Sequence, residues 1–174
     1  ILASESAKWA NKQIKILKFN EELDLINYID VTEYFTDSIE YYGLSNRTDD
    51  YFILGTQFED FDRREREFNY HLFNTYGDFL DKLKFILRDG IDNGIEYGWI
   101  YPIVDKVNKR ILLTRSKQDT LNQSTYFELF ASDGDTVHLI KRVEVKGDKD
   151  HFRTQYGKVM DNGDVLLYVE QFAW

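Results

Sequence analysis

The stretch DFDRREREFNYHLFNTYGDFLDKLKFILR, Asp60 to Arg88, decides the fold class, because it is long enough to form two helical spans or several strands. Its apolar residues Phe61, Phe68, Leu72, Phe79, Leu83 and Leu87 recur mostly at fours and sevens, the spacing of one helical face. The charged run at its start adds Asp62–Arg66 and Arg63–Glu67, i,i+4 pairs that meet on a helix surface. The spacing predicts one long helix over 60–88, or a helical pair broken near Tyr76-Gly77-Asp78.

Working outward, the first segment repeats the pattern. Ala3, Ala7, Ala10, Ile14 and Leu17 alternate spacings of three and four, with Lys8, Lys12, Lys15 and Lys18 mostly off that stripe. This predicts an amphipathic helix that continues or restarts through Leu23, Ile26 and Ile29, and its stripe over residues 3–29 would be a natural homodimer seam. Between the two helical regions, Tyr51-Phe52-Ile53-Leu54-Gly55 is an apolar run bounded by turn residues and reads as a strand.

After Arg88-Asp89-Gly90 the character changes. Trp99 to Val104 and Arg110 to Thr114 make a hairpin across Asp105–Lys109. Tyr126 to Ala131 meets Val137 to Val145 across Ser132-Asp133-Gly134-Asp135. Val165 to Phe172 follows Asp161-Asn162-Gly163-Asp164, and Asp-Gly and Asn-Gly are strong hairpin chemistry. The expected architecture is α+β in a single domain over 1–174, with 1–90 mainly helical and packed on a mostly antiparallel sheet formed by 91–174. No linker, low-complexity run or internal repeat stands out.

Composition narrows the chemistry. Thirteen Phe, twelve Tyr and three Trp can supply much of a core. Without cysteine, thiolate metal sites, thiol catalysis and disulfides are excluded. A net charge of −9 disfavours binding to phosphate backbones and anionic membranes. The excess lies before residue 141, because the remainder balances six basic against six acidic side chains. No run reaches the length of a spanning helix, and no P-loop, dinucleotide fingerprint or nucleophile elbow is present. His71, His138 and His151 stand apart from one another and from carboxylates at ligand spacing, so neither a resident metal nor a cofactor is predicted.

Two constellations carry chemistry. In Val143-Glu144-Val145-Lys146-Gly147, strand alternation places Glu144 and Lys146 on one face. This order resembles the PD-(D/E)xK nucleases, in which a second carboxylate helps to hold a divalent metal. The resemblance implies Glu128 or Asp135 for that role, beside Glu144 and Lys146 as catalytic residues. The same strand also reads as an ordinary charged outer strand.

The second is Asp62-Arg63-Arg64-Glu65-Arg66-Glu67-Phe68-Asn69-Tyr70 taken with Trp99-Ile100-Tyr101-Pro102-Ile103-Val104-Asp105 and the hairpin after it. Over residues 60–115 these elements resemble Cache-type extracytoplasmic sensor domains. The resemblance implies a PAS-like sheet with a small-ligand pocket contacted by Arg66, Tyr70, Trp99, Tyr101 and Asp105. It makes a noncatalytic sensing domain of a bacterial membrane receptor the leading expectation, outside the inner membrane, with membrane segments in flanking sequence. The start at Ile1 and the end at Trp174 suit a domain lying between such segments. The alternatives are a cytoplasmic acidic interaction protein that binds a basic partner, such as an immunity or phage inhibitor protein, and the nuclease.

Overall fold

The computed structural model describes residues 13–34, 41–60, 65–88, 95–119, 121, 124–133, 136–146 and 151–172. The expected α+β class is overturned: the described residues form twelve strands and a single 3-10 turn, Thr32–Tyr34, and contain no α-helix. Within the Asp60–Arg88 stretch, Glu65–Asn74 and Phe79–Arg88 are the two strands of a hairpin, not a helix. Of the seam expected over residues 3–29, residues 15–19 and 25–30 are strands and residues 3–12 lie outside the described ones.

The chain runs as antiparallel meanders. A first hairpin pairs β1 (Lys15–Phe19) with β2 (Leu25–Asp30). A four-stranded sheet follows in chain order, β3 (Tyr41–Arg47), β4 (Tyr51–Asp60), β5 (Glu65–Asn74) and β6 (Phe79–Arg88). A second sheet repeats that order with β7 (Ile95–Asp105), β8 (Arg110–Asp119), β9 (Ser124–Asp133) and β10 (Thr136–Lys146). The last hairpin pairs β11 (His151–Val159) with β12 (Val165–Phe172).

These units stack face to face in chain order. Ile53, Tyr70, Leu72, Leu83, Phe85 and Leu87 of the first sheet close on Val104, Ile111 and Leu113 of the second. The first hairpin lays Ile14, Ile16, Ile29 and Val31 on Phe52, Leu54 and Phe73, on the other side of the first sheet. The last hairpin lays Val159, Val165 and Leu167 on Ile103, Leu112 and Ala131, on the other side of the second. Apolar residues on both faces of the inner strands are what a buried layer requires, and they explain continuous apolar runs such as Ile111-Leu112-Leu113.

The structure also contains a repeat that residue identity conceals. Strands β4 and β5 reappear as β8 and β9 at a spacing of 59 (Tyr51 to Arg110, Glu65 to Ser124), with equivalent pairing: Gly55 faces Tyr70 as Thr114 faces Leu129. The β1–β2 and β5–β6 turns are the same turn at a spacing of 54 (Asn20 to Asn74, Asp24 to Asp78). The Asp24 amide donates to Asn20 Oδ1 at 2.7 Å, and the Asp78 amide donates to Asn74 Oδ1 at 2.9 Å. In both turns the residue before the Asp has positive φ, 67° at Leu23 and 99° at Gly77.

Candidate functional site

The densest charge cluster lies between the two four-stranded sheets. On β8, β9 and β10, Arg115, Glu128 and Arg142 stand side by side in register, so their side chains share one face. Glu128 is buried and takes three cations. Arg115 binds Oε2 through both Nε, at 2.9 Å, and a terminal nitrogen. Arg142 donates to Oε1 from Nε at 2.8 Å, and Lys117 Nζ lies 3.3 Å from the same oxygen.

Aromatic rings floor the cations. The Arg115 guanidinium sits over Phe85 of the first sheet and Phe130 of the second, at 5.6 and 5.1 Å, and Lys117 and Arg142 both stand over Tyr126. Burial alone would raise the Glu128 carboxyl. The hydrogen bonds and charge of Arg115, with Lys117 and Arg142, more than reverse this and hold it below the ordinary carboxylate range.

Two other carboxylates are spent on backbone geometry. Asp105, also buried, accepts from the amides of Val107 and Asn108, from Asn108 Nδ2 and from Arg110 Nε at 3.0 Å, which fastens the β7–β8 turn. Burial opposes its charge, and the bonds from Asn108 and Arg110 keep its carboxyl below its usual value. Asp81 crosses between the sheets, accepting from the Ile111 amide at 2.9 Å and from the Ser132 hydroxyl.

The residues expected to contact a ligand are distributed over separate surfaces. Arg66 and Tyr70 lie on β5, and Tyr70 is buried between the sheets, where desolvation pushes its phenol far above the usual range. Tyr101 belongs to the opposite face of the second sheet, edge-on to Tyr156 at 6.5 Å. Asp105 closes a turn, and Trp99 lies in β7 with its side chain outside the described residues. A cavity of about 290 Å³ brings Tyr70 together with His71, Lys82, Leu83, Lys84 and Val137 and not with Arg66, Tyr101 or Asp105.

Of the residues named for a nuclease, Glu144 lies on the face that carries Glu128 and accepts from the Ser124 hydroxyl at 2.9 Å, and Lys146 follows on the same strand. Asp135 lies outside the described residues. Among the described residues no three His, Cys, Asp or Glu side chains gather as metal ligands. Arg115, Lys117, Arg142 and Asp81 went unnamed at the level of sequence, although the i,i+2 placement of Arg115 and Lys117 on an apolar strand was a signal for cations on one face.

Comparison of the chain with protein-family models, with curated proteins and with solved structures gave no match. Among the described residues, no helix is long and apolar enough to cross a membrane.

Proposed function

We propose that the protein is a noncatalytic interaction module that binds a protein partner across an open sheet face. The observation that carries this reading is the half-covered outer face of the second sheet. The last hairpin packs on Ile103, Leu112 and Ala131 of β7, β8 and β9, while Val143 and Val145 of β10, which share that face through their pairing with Phe127 and Thr125, remain exposed. Neighbouring apolar side chains on an exposed strand mark interaction surfaces in soluble proteins. Saturation of the buried carboxylates by structural partners supports the same reading, since Glu128 and Asp105 are occupied in holding the fold.

The experiment is site-specific photo-crosslinking in producing cells, with a photoreactive residue at position 143 and a control at exposed Val107. A discrete protein adduct at 143 and none at 107 is expected. No adduct at 143, or equal labelling at both sites, would refute the module.

Ligand sensing, the leading expectation from sequence, was tied to a helix-and-sheet frame, and the described residues form sheets without an α-helix. A partner protein requires no such frame.

A further inference from the structure

The two stacked sheets gather charge of one sign along one side. The end strands β6 and β10 meet there, with Val137 of β10 packed on the core that Leu83, Phe85 and Leu87 of β6 help to form. Together these strands hold Lys82, Lys84, Arg88, Lys141, Arg142 and Lys146 against Asp81 and Glu144, in a chain whose net charge is −9. The end strands of the other side, β3 and β7, hold Arg47 against Glu96 and Asp105. The acidity of the whole chain therefore conceals a cationic edge. A partner that suits this edge is the opposite of the basic one that net charge suggests.

On that edge, β10 has backbone to offer. Among the described residues it pairs with β9 alone, so on its other side every second residue turns an N–H and a C=O outward. The register shift between Leu139 and Lys141 interrupts the ladder and leaves residues 141–146 as about 20 Å of regular strand. Alternation gives this run two faces. Arg142, Glu144 and Lys146 share the face of Glu128, and Lys141, Val143 and Val145 share the face of Phe127 and Thr125. All of these side chains on β10 are exposed.

Two further observations favour an anionic occupant. The cavity of about 290 Å³ that Val137 lines adds Lys82 and Lys84 to the same side with no carboxylate among its described lining residues, although Glu67 reaches Lys84 from beside it at 2.8 Å. Lysine and a bulge are also the means by which a sheet edge avoids pairing with its own kind. The β10 of a second copy brings the same cations, so the edge selects against itself and for a strand of opposite charge.

We propose that the partner of the module supplies an extended acidic segment, which adds to β10 as an outer strand over residues 141–146. This names the chemistry of the partner and so rests on the interaction reading. Cross-strand neighbours share a face, so the added strand sets acidic side chains opposite Arg142 and Lys146 and apolar ones opposite Val143 and Val145. The position opposite Glu144 is uncharged. Main-chain hydrogen bonds give such a strand its affinity, and the order of acidic and apolar side chains gives it specificity.

The test uses the purified full chain and blocked, fluorescently labelled peptides whose residue order is the same from either end, so strand direction does not decide the outcome. The matching peptide is Thr-Thr-Glu-Val-Thr-Val-Glu-Thr-Thr. One control exchanges both Glu for Lys. A second, Thr-Thr-Val-Glu-Thr-Glu-Val-Thr-Thr, keeps the composition and brings the acids too close together to meet both cations. Fluorescence anisotropy should show saturable binding of the matching peptide, binding of the rearranged one weaker by about tenfold, and none of the Lys peptide. Lys146→Glu should weaken the matching peptide by about fivefold while Lys146→Arg retains it, with circular dichroism verifying the fold of each. Hydrogen exchange at the amides of 141–146 should slow when the peptide binds.

Binding with that protection and that charge dependence upholds the proposal. Absence of saturable binding at millimolar peptide, equal binding of the Lys peptide, or protection elsewhere than β10 overturns it. A single-stranded oligonucleotide that binds in place of the peptide, and is weakened by Lys146→Glu, overturns it in favour of a polyanion. A position-143 adduct to another protein in cells without peptide binding overturns the acidic strand and leaves the module standing, whereas loss of both results removes both readings.

Discussion

Glu128→Gln preserves the shape of the buried side chain and removes the negative charge that Arg115, Lys117 and Arg142 share. The side chains of Arg115 and Lys117 are only 15% and 14% exposed, and that of Arg142 is 48% exposed, so one cation can turn to water and two remain largely enclosed. Removing one partner from a buried ion pair costs about 3–5 kcal/mol. Because the amide oxygen still accepts one hydrogen bond and Arg142 can leave, a loss of about 3 kcal/mol is expected. At this chain length that lowers the midpoint of thermal unfolding by roughly 6–12 °C. The pH dependence adds a signature that packing alone would not give. A carboxyl held below its unfolded value of about 4.3 stabilises the fold above that pH, and this contribution disappears as pH falls through the folded value. Urea unfolding should therefore show a wide gap between wild type and Glu128→Gln at pH 7 that narrows as the pH is lowered below the unfolded value. A gap below about 1 kcal/mol at pH 7, or one that does not change with pH, would refute the argument that Glu128 is the charge that holds the cluster together.

Three further outcomes follow from particular contacts. A methyl group on Gly157 would stand 2.3 Å from Ile103 Cδ1 and 2.7 Å from its Cγ1, so Gly157→Ala should cost about 1–3 kcal/mol by denaturant unfolding. Ile103→Val, which deletes the nearer atom, should recover part of that loss in a double-mutant cycle. Asp105→Ala opens the β7–β8 turn and leaves Arg110 unpaired, an expected loss of about 1.5–3 kcal/mol at neutral pH. That difference should shrink in acid as the Asp105 carboxyl of the wild type is protonated. Leu23→Gly should stabilise the chain by about 1 kcal/mol, because a largely exposed Leu is held at φ 67° where the equivalent turn uses Gly77; a lower melting temperature would refute the equivalence of the two turns.

The strands of the second half were legible because their hairpins advertise themselves. Asp133-Gly134 and Asn162-Gly163 sit between alternating apolar runs, and both hairpins form where those signals stand. The first half was misread for a geometric reason. A spacing of four is a multiple of the strand period of two as well as one turn of helix, so Phe68 with Leu72 and Leu83 with Leu87 fit either face. The discriminating residues were those between them: Tyr70 and Phe85 complete a strict alternation of buried positions that a helix would have sent to its far side. Tyr76-Gly77-Asp78, read as a break between helices, belongs to the tight turn that Asn74 clasps.

The carboxylate that suggested metal chemistry shows why site residues were harder to read than strands. Glu128 invites a catalytic interpretation in sequence because it precedes the Glu144–Lys146 strand, where the resemblance to a nuclease implies a second carboxylate to hold a metal. Its purpose becomes visible only when the register brings Arg115 and Arg142 beside it from strands 13 and 14 residues away. The same dependence on register explains why the repeat escaped notice. Equivalent positions hold Phe52 and Ile111, or Leu72 and Ala131, residues of like polarity and unlike identity, so what repeats is burial and pairing, not sequence. Once equivalence is defined by pairing, exposure becomes interpretable. Leu112 of β8 is buried because the last hairpin packs on it, whereas Leu17 and Leu166 of the two terminal hairpins are exposed, so the same apolar residue reads as core or surface only once its cover is known.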